Sequence, residues 1–92
     1  MHQRTSQFLQ TLDAALGPVV DAASALDEIA AWLRAQPGVE LVQVSDYVLK
    51  SWPPQRELIF HVRLPAGELV QRIARIEERG PRVFSLHDVR TE

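Results

Sequence analysis

The side chains from which this chain could build acid–base, metal or covalent chemistry are three histidines, His2, His61 and His87, and a scatter of carboxylates, with no cysteine. A metal site on a helix needs two histidines four residues apart, and a structural zinc site adds thiolates. Neither arrangement occurs, so no metal and no cofactor are expected. Without cysteine there is neither a thiol nucleophile nor a disulfide framework. The sequence also lacks a glycine-rich phosphate loop and a nucleophile elbow. An enzyme is therefore not expected. The polar groups best placed to line a small-ligand cleft are Asp21, Ser24, His61 and Arg63. His61 and His87 both project from the polar side of their strands, but the expected topology puts another strand between them.

A second kind of chemistry is recognition. The stretch "VLKSWPPQRELIF" sets Trp52, Pro53 and Pro54 between two apolar runs. Proline cannot donate to a strand ladder, so the pair belongs to the bend of a β-hairpin. Two prolines fall short of the extended PxxP pattern that aromatic grooves recognise. Trp52, Pro53 and Pro54 are the candidate interaction residues, since an aromatic at a hairpin tip is either folded over the sheet edge or offered to a partner. The expectation adopted is the folded-over indole.

The elements that position these residues follow from periodicity. In "TSQFLQTLDAALGP", Phe8, Leu9, Leu12, Ala15 and Leu16 lie at helical spacing, and Gly17 with Pro18 reads as a stop. The β-branched "VVDA", Val19 to Ala22, reads as a short strand or as none, so the first strand of the fold is short or missing. Ser24 is a cap for a helix from Ala25 to about Gln36, with Leu26, Ile29, Ala30 and Leu33 as its stripe, Trp32 beside it, and Pro37 with Gly38 as the terminator. "GVELVQVSDYVLKSW" is a strand whose alternation slips between Leu41 and Val42, which implies a bulge. "ELIFHVRLP" alternates cleanly, with Leu58, Phe60, Val62 and Leu64 inward. "AGELVQRIARIEERGP" has helical spacing, with Leu69, Val70, Ile73, Ala74 and Ile76 on one side and Gly80 at the stop. A last strand has Phe84 and Leu86 on one face and Val83, Ser85, His87 and Val89 on the other. The tail "RTE" is expected to be loose.

That order predicts an α+β fold, a ferredoxin-like βαββαβ plait over residues 18–90 with an extra N-terminal helix, in one domain. With Asp21 ending the first strand, Leu26 opening the helix, Gly38 and Val39 following it and a short final strand after a second helix, the chain resembles an ACT-like regulatory domain. The resemblance implies a regulatory module. Members that bind amino acids carry a Pro-Gly pair between that Asp and that Leu, where this chain has Ala23 and Ser24.

Composition bounds the partners. The net charge is −2 with both signs interspersed, which does not supply the basic footprint of a nucleic-acid binder, so no nucleic acid is expected. No apolar run reaches the roughly 20 residues of a membrane span and "MHQRTSQ" lacks the apolar stretch of a secretory signal, so no membrane partner and a cytoplasmic location are expected. Apolar residues on both faces of the Leu41 to Leu49 strand, at an open sheet edge, predict a homodimer. The function expected is a non-catalytic regulatory or protein-interaction module, with a small-molecule sensor or small enzyme working at a dimer cleft as the alternative.

Overall fold

The structure, a computed structural model, describes the backbone of residues 2–49 and 52–91 and the side chains of residues 7–45 and 52–91. Two helices come first, α1 (His2–Ala22) and α2 (Leu26–Arg34), followed by four strands, β1 (Val39–Leu49), β2 (Gln55–Arg63), β3 (Leu69–Gly80) and β4 (Val83–Thr91). The sheet is an antiparallel meander in which spatial order equals chain order, β1-β2-β3-β4. Both helices lie on one face, α1 along β4 and α2 along β1. No helix among the described residues is long and apolar enough to cross a membrane.

The α+β class and a four-stranded antiparallel sheet agree with expectation, but the chain order does not follow a βαββαβ plait, and the two helices on one face are α1 and α2 where α2 and a helix over about residues 69–80 were expected. Two local readings account for the difference. Val19 to Ala22 continue α1 rather than forming a strand, and Gly17 and Pro18 lie inside the helix. Leu12, Leu16 and Val20, spaced by four, are 9%, 0% and 0% exposed, so carrying the helix on keeps one apolar row seated on the sheet. That burial outweighs the cost of Pro18, which has no N–H to give the preceding turn.

The second difference is larger: residues 69–80 form strand β3, not a helix. A central strand is paired on both sides, here by Leu58↔Ala74 toward β2 and Ala74↔Val89 toward β4, and this tertiary pairing overrides helical propensity. Val70, Ala74 and Ile76 face the helices. Between them Arg72 also faces inward, while Ile73 faces outward beside Ile59 and is 7% exposed. This inversion hides the period of two.

β2 follows its pattern, with Leu58, Phe60 and Val62 fully buried and Leu64 nearly so. The bulge in β1 is present: the register shifts between Glu40 and Gln43, and Leu41 takes a left-handed φ of 51° and stands 67% exposed. The apolar pattern expected further along β1 falls on side chains outside the described residues. In β4 the register shifts opposite Arg75 and Ile76, which carries Val89 to the helix face with Phe84 and Leu86 instead of leaving it opposite them. Thr91 is still in the strand, so the tail through that residue is not loose. The first helix, whose docking partner was open, packs on its own sheet and on the same face as α2.

The core joins Leu12, Leu16 and Val20 of α1 and Ile29, Ala30 and Leu33 of α2 to Leu58, Phe60, Val62, Ala74, Ile76 and Phe84. At the far end of the sheet Gly38 takes φ of 81°, and a Cβ there would come within 3.1 Å of the Arg63 carbonyl oxygen, which explains the glycine after α2. α2 starts at an Ala25 N-cap that makes no side-chain bond. Ser24 instead meets Glu28 through its hydroxyl at 2.9 Å and its N–H at 3.2 Å.

Candidate functional site

The four polar residues expected for a cleft at a dimer interface do not meet within one chain. Asp21 and Ser24 are exposed at the junction of the helices, on the helix side of the sheet. His61 and Arg63 point from β2 to the open side, and Arg63 lies toward the opposite end. The Arg63 Nε donates to Glu40 at 2.8 Å and its Nη1 to the Gly67 carbonyl at 3.0 Å. The bond from Arg63 holds the Glu40 carboxyl below its ordinary range, and the bond to Glu40 raises Arg63 in turn. His61 shares a 3.2 Å hydrogen bond with Gln71, and its Nδ1 is buried without a hydrogen-bond partner among the described residues. His87 lies on β4 with β3 between it and His61; the expected plait had assigned that separating position to a different strand. The side chain of His2 lies outside the described residues. Among the described residues no cluster of His, Asp and Glu could hold a metal ion.

The open face of the sheet is a lattice of paired polar groups. Arg75 reaches Glu57 at 3.5 Å, Arg79 reaches Glu77 at 3.3 Å and Ser85 donates to Glu77 at 3.4 Å. Cross-strand pairs of this kind keep a single-layer face compatible with water around the Ile59 and Ile73 centre.

Trp52, Pro53 and Pro54 do come together, at the end of the sheet where both hairpin tips and the loop between the helices converge. The Glu78 N–H donates to the Pro54 carbonyl at 2.8 Å and ties one tip to the other. Between the tips runs a groove of about 690 Å³, with Trp52, Pro53 and Pro54 on one wall and Glu77 to Pro81 on the other. The expectation that the indole folds over the sheet is overturned: Trp52 is 92% exposed. The tie through Pro54 holds the loop against β3 and leaves the residue two positions earlier outside the sheet. Pro53 and Pro54 are half-buried and form the stiff base from which the indole projects.

On the helix side of the same end, a smaller cleft of about 310 Å³ is bordered by Ser24, Asp27, Arg56, Glu78 and Arg82. Arg82 holds a left-handed φ of 59° in the β3–β4 turn. Arg56 carries a buried Nε that has no hydrogen-bond partner among the described residues.

A buried charge pair, unanticipated from the sequence, joins three elements. Arg72 of β3 is 6% exposed and donates through Nη2 to Asp13 of α1 and through Nη1 to Thr91 of β4. Burial raises the Asp13 carboxyl above its ordinary value, and attraction to Arg72 together with its hydrogen bond pulls in the other direction. Once residues 69–80 are read as a strand, an arginine between inward-facing Val70 and Ala74 signals the need for an acid above it.

Comparison with known proteins finds no family model, no curated protein and no solved structure that matches the chain.

Proposed function

We propose that the chain is a non-catalytic protein-interaction module, acting as a homodimer, and that its partner contacts the hairpin-tip end. The observation that carries this reading is the 92% exposed indole of Trp52 standing over the groove between the two tips. A tryptophan left in water adds little to folding, whereas the same ring inserted into a partner is the side chain most often found to anchor an interface. Its prolines stiffen the loop, so less conformational freedom is lost on docking. The homodimer is supported by β1, an open edge strand with Leu41 two-thirds exposed.

A photo-activatable cross-linker placed at position 52 and, separately, at position 71 on the open sheet face tests the first part in cells. Specific adducts from position 52 and none above background from position 71 are expected. Equal yields from both positions would remove the case for the tip end. Light scattering at micromolar concentration tests the dimer. A wild-type dimer that Leu41→Lys converts to monomer is expected, and a monomeric wild type would refute it.

A further inference from the structure

Resting on the reading of the tip end as a docking surface, we infer that the helix-side cleft at that end receives an acidic side chain, an aspartate or glutamate presented by the partner protein. The cleft's charged residues are Asp27 of α2, Arg56 of β2, Glu78 of β3 and Arg82 of the β3–β4 turn. Arg56 pairs with Ile76 across the strands, so its side chain and that of Glu78, two residues on, leave the sheet on the helix face. Formal charge balances across the cleft, yet none of these four side chains has an ion pair or hydrogen bond among the described residues. The two signs are not equivalent. Asp27 is exposed, and no oxygen of Asp27 or Glu78 is both buried and unpartnered, so water serves the acids. Arg56 is half-buried, and its Nε is closed to water with no acceptor. A charged donor shut from water without an acceptor is costly, whereas an acid left in water is not. The unmet group of the cleft is a cation, and an anion complements it. Arg82 adds a second guanidinium at a left-handed φ of 59°, where glycine or asparagine is at ease, so the turn keeps an arginine against its backbone preference. A carboxylate matches a guanidinium fork with two parallel hydrogen bonds. Asp27 and Glu78 repel a dianion more than a single charge, which favours a carboxylate over a phosphate group. Glu78 borders both this cleft and the groove beside Trp52, so one partner surface meets the indole and the arginines together.

The probes are capped tripeptides with a central glutamate, glutamine, phosphoserine or arginine. Each is titrated at low salt into the full chain while the arginine Nε–H signals are followed by NMR, that of Arg56 being assigned by its loss in Arg56→Lys. Glutamine keeps the shape of glutamate and removes its charge. The glutamate peptide is expected to shift the Arg56 signal saturably and to bind roughly three- to thirtyfold more tightly than the glutamine peptide. Arg56→Gln should erase most of that preference, Arg82→Asn should reduce it, and added salt should weaken it. Arg82 is exposed and asparagine suits its left-handed backbone, so that variant decides the matter if Arg56→Gln fails to fold. Equal binding of glutamate and glutamine peptides, or a preference that survives both variants, would overturn the acidic-partner inference while leaving the docking surface in place. Tighter binding of the phosphoserine peptide would make the partner a phosphorylated one and overturn it, as would tighter binding of the arginine peptide. A signal that moves with protein concentration and with no peptide would identify a second copy as the occupant and overturn it too. Silence from all four peptides also overturns it, and the cross-linking at position 52 then judges the docking surface independently.

Discussion

Trp52 and Arg72 are opposite cases of one rule, that a side chain's contribution follows its surroundings and not its type. An indole 92% exposed has little folding energy to lose, so Trp52→Ala should leave the denaturant midpoint within about 0.5 kcal/mol of wild type. A shift of several kcal/mol would show the ring to be packed. Arg72 is buried against Asp13, whose side chain retains 26% exposure. Arg72→Met should cost about 3 kcal/mol, because it strands a partly buried carboxylate, and adding Asp13→Leu should recover most of that loss. The pH dependence has a definite sign. Since folding raises the Asp13 carboxyl, the folded state holds its proton more tightly, and the contribution of Asp13 is greatest below the unfolded carboxylate range and is lost as pH rises through the folded value. The stability of wild type relative to Asp13→Asn should therefore decline as pH rises from the ordinary carboxylate range through the raised folded value, as read from urea midpoints. At this scale Trp52, Pro53 and Pro54 stand out in the sequence by type and position, and the structure places them together at one hairpin tip. The indole's exposure was not legible, because it depends on how the Glu78 to Pro54 bond draws the loop toward β3.

Among the elements, α1 is the one that departs from its local signals. Pro18 is exposed and lies mid-helix, where it deprives one carbonyl of its N–H. Pro18→Ala should raise stability by about 1 to 2 kcal/mol, the helix gain being partly offset by a freer unfolded chain. A loss on thermal melting would mean that the proline ring packs. β2 was legible because Leu58, Phe60 and Val62 are buried in clean alternation on one face, and α2 because its stripe is continuous. The bulge of β1 was legible as a break in alternation. β3 was not, because its spacing of apolar residues fits 3.6 as well as 2, and the residue that spoils the alternation is the very arginine that pairs with α1. The continuation of α1 through Gly17 and Pro18 was hidden for a related reason. Local punctuation predicts a stop, and what overrides it is a sheet surface built some 50 to 70 residues later in the chain.

At the scale of the molecule, a meander pairs each strand with its neighbour in sequence, whereas α1 packs on β4, the most distant element from it along the chain. A chain ending at Gly80 would keep three paired strands yet leave Leu12, Leu16 and Val20 without much of their partner surface. Its thermal unfolding by circular dichroism should lose cooperativity, and a sharp transition near that of the full chain would show that β4 is dispensable. The same contact has a meaning for biosynthesis. At about 5 to 20 residues per second, translation takes roughly 3 to 14 s to pass from the end of α1 to the end of β4. For that interval the apolar row of α1 has left the ribosome and the strand it packs on has not. Folding of this unit must therefore wait for its last strand and then close as one event, with chaperones, where they act on it, meeting α1 first.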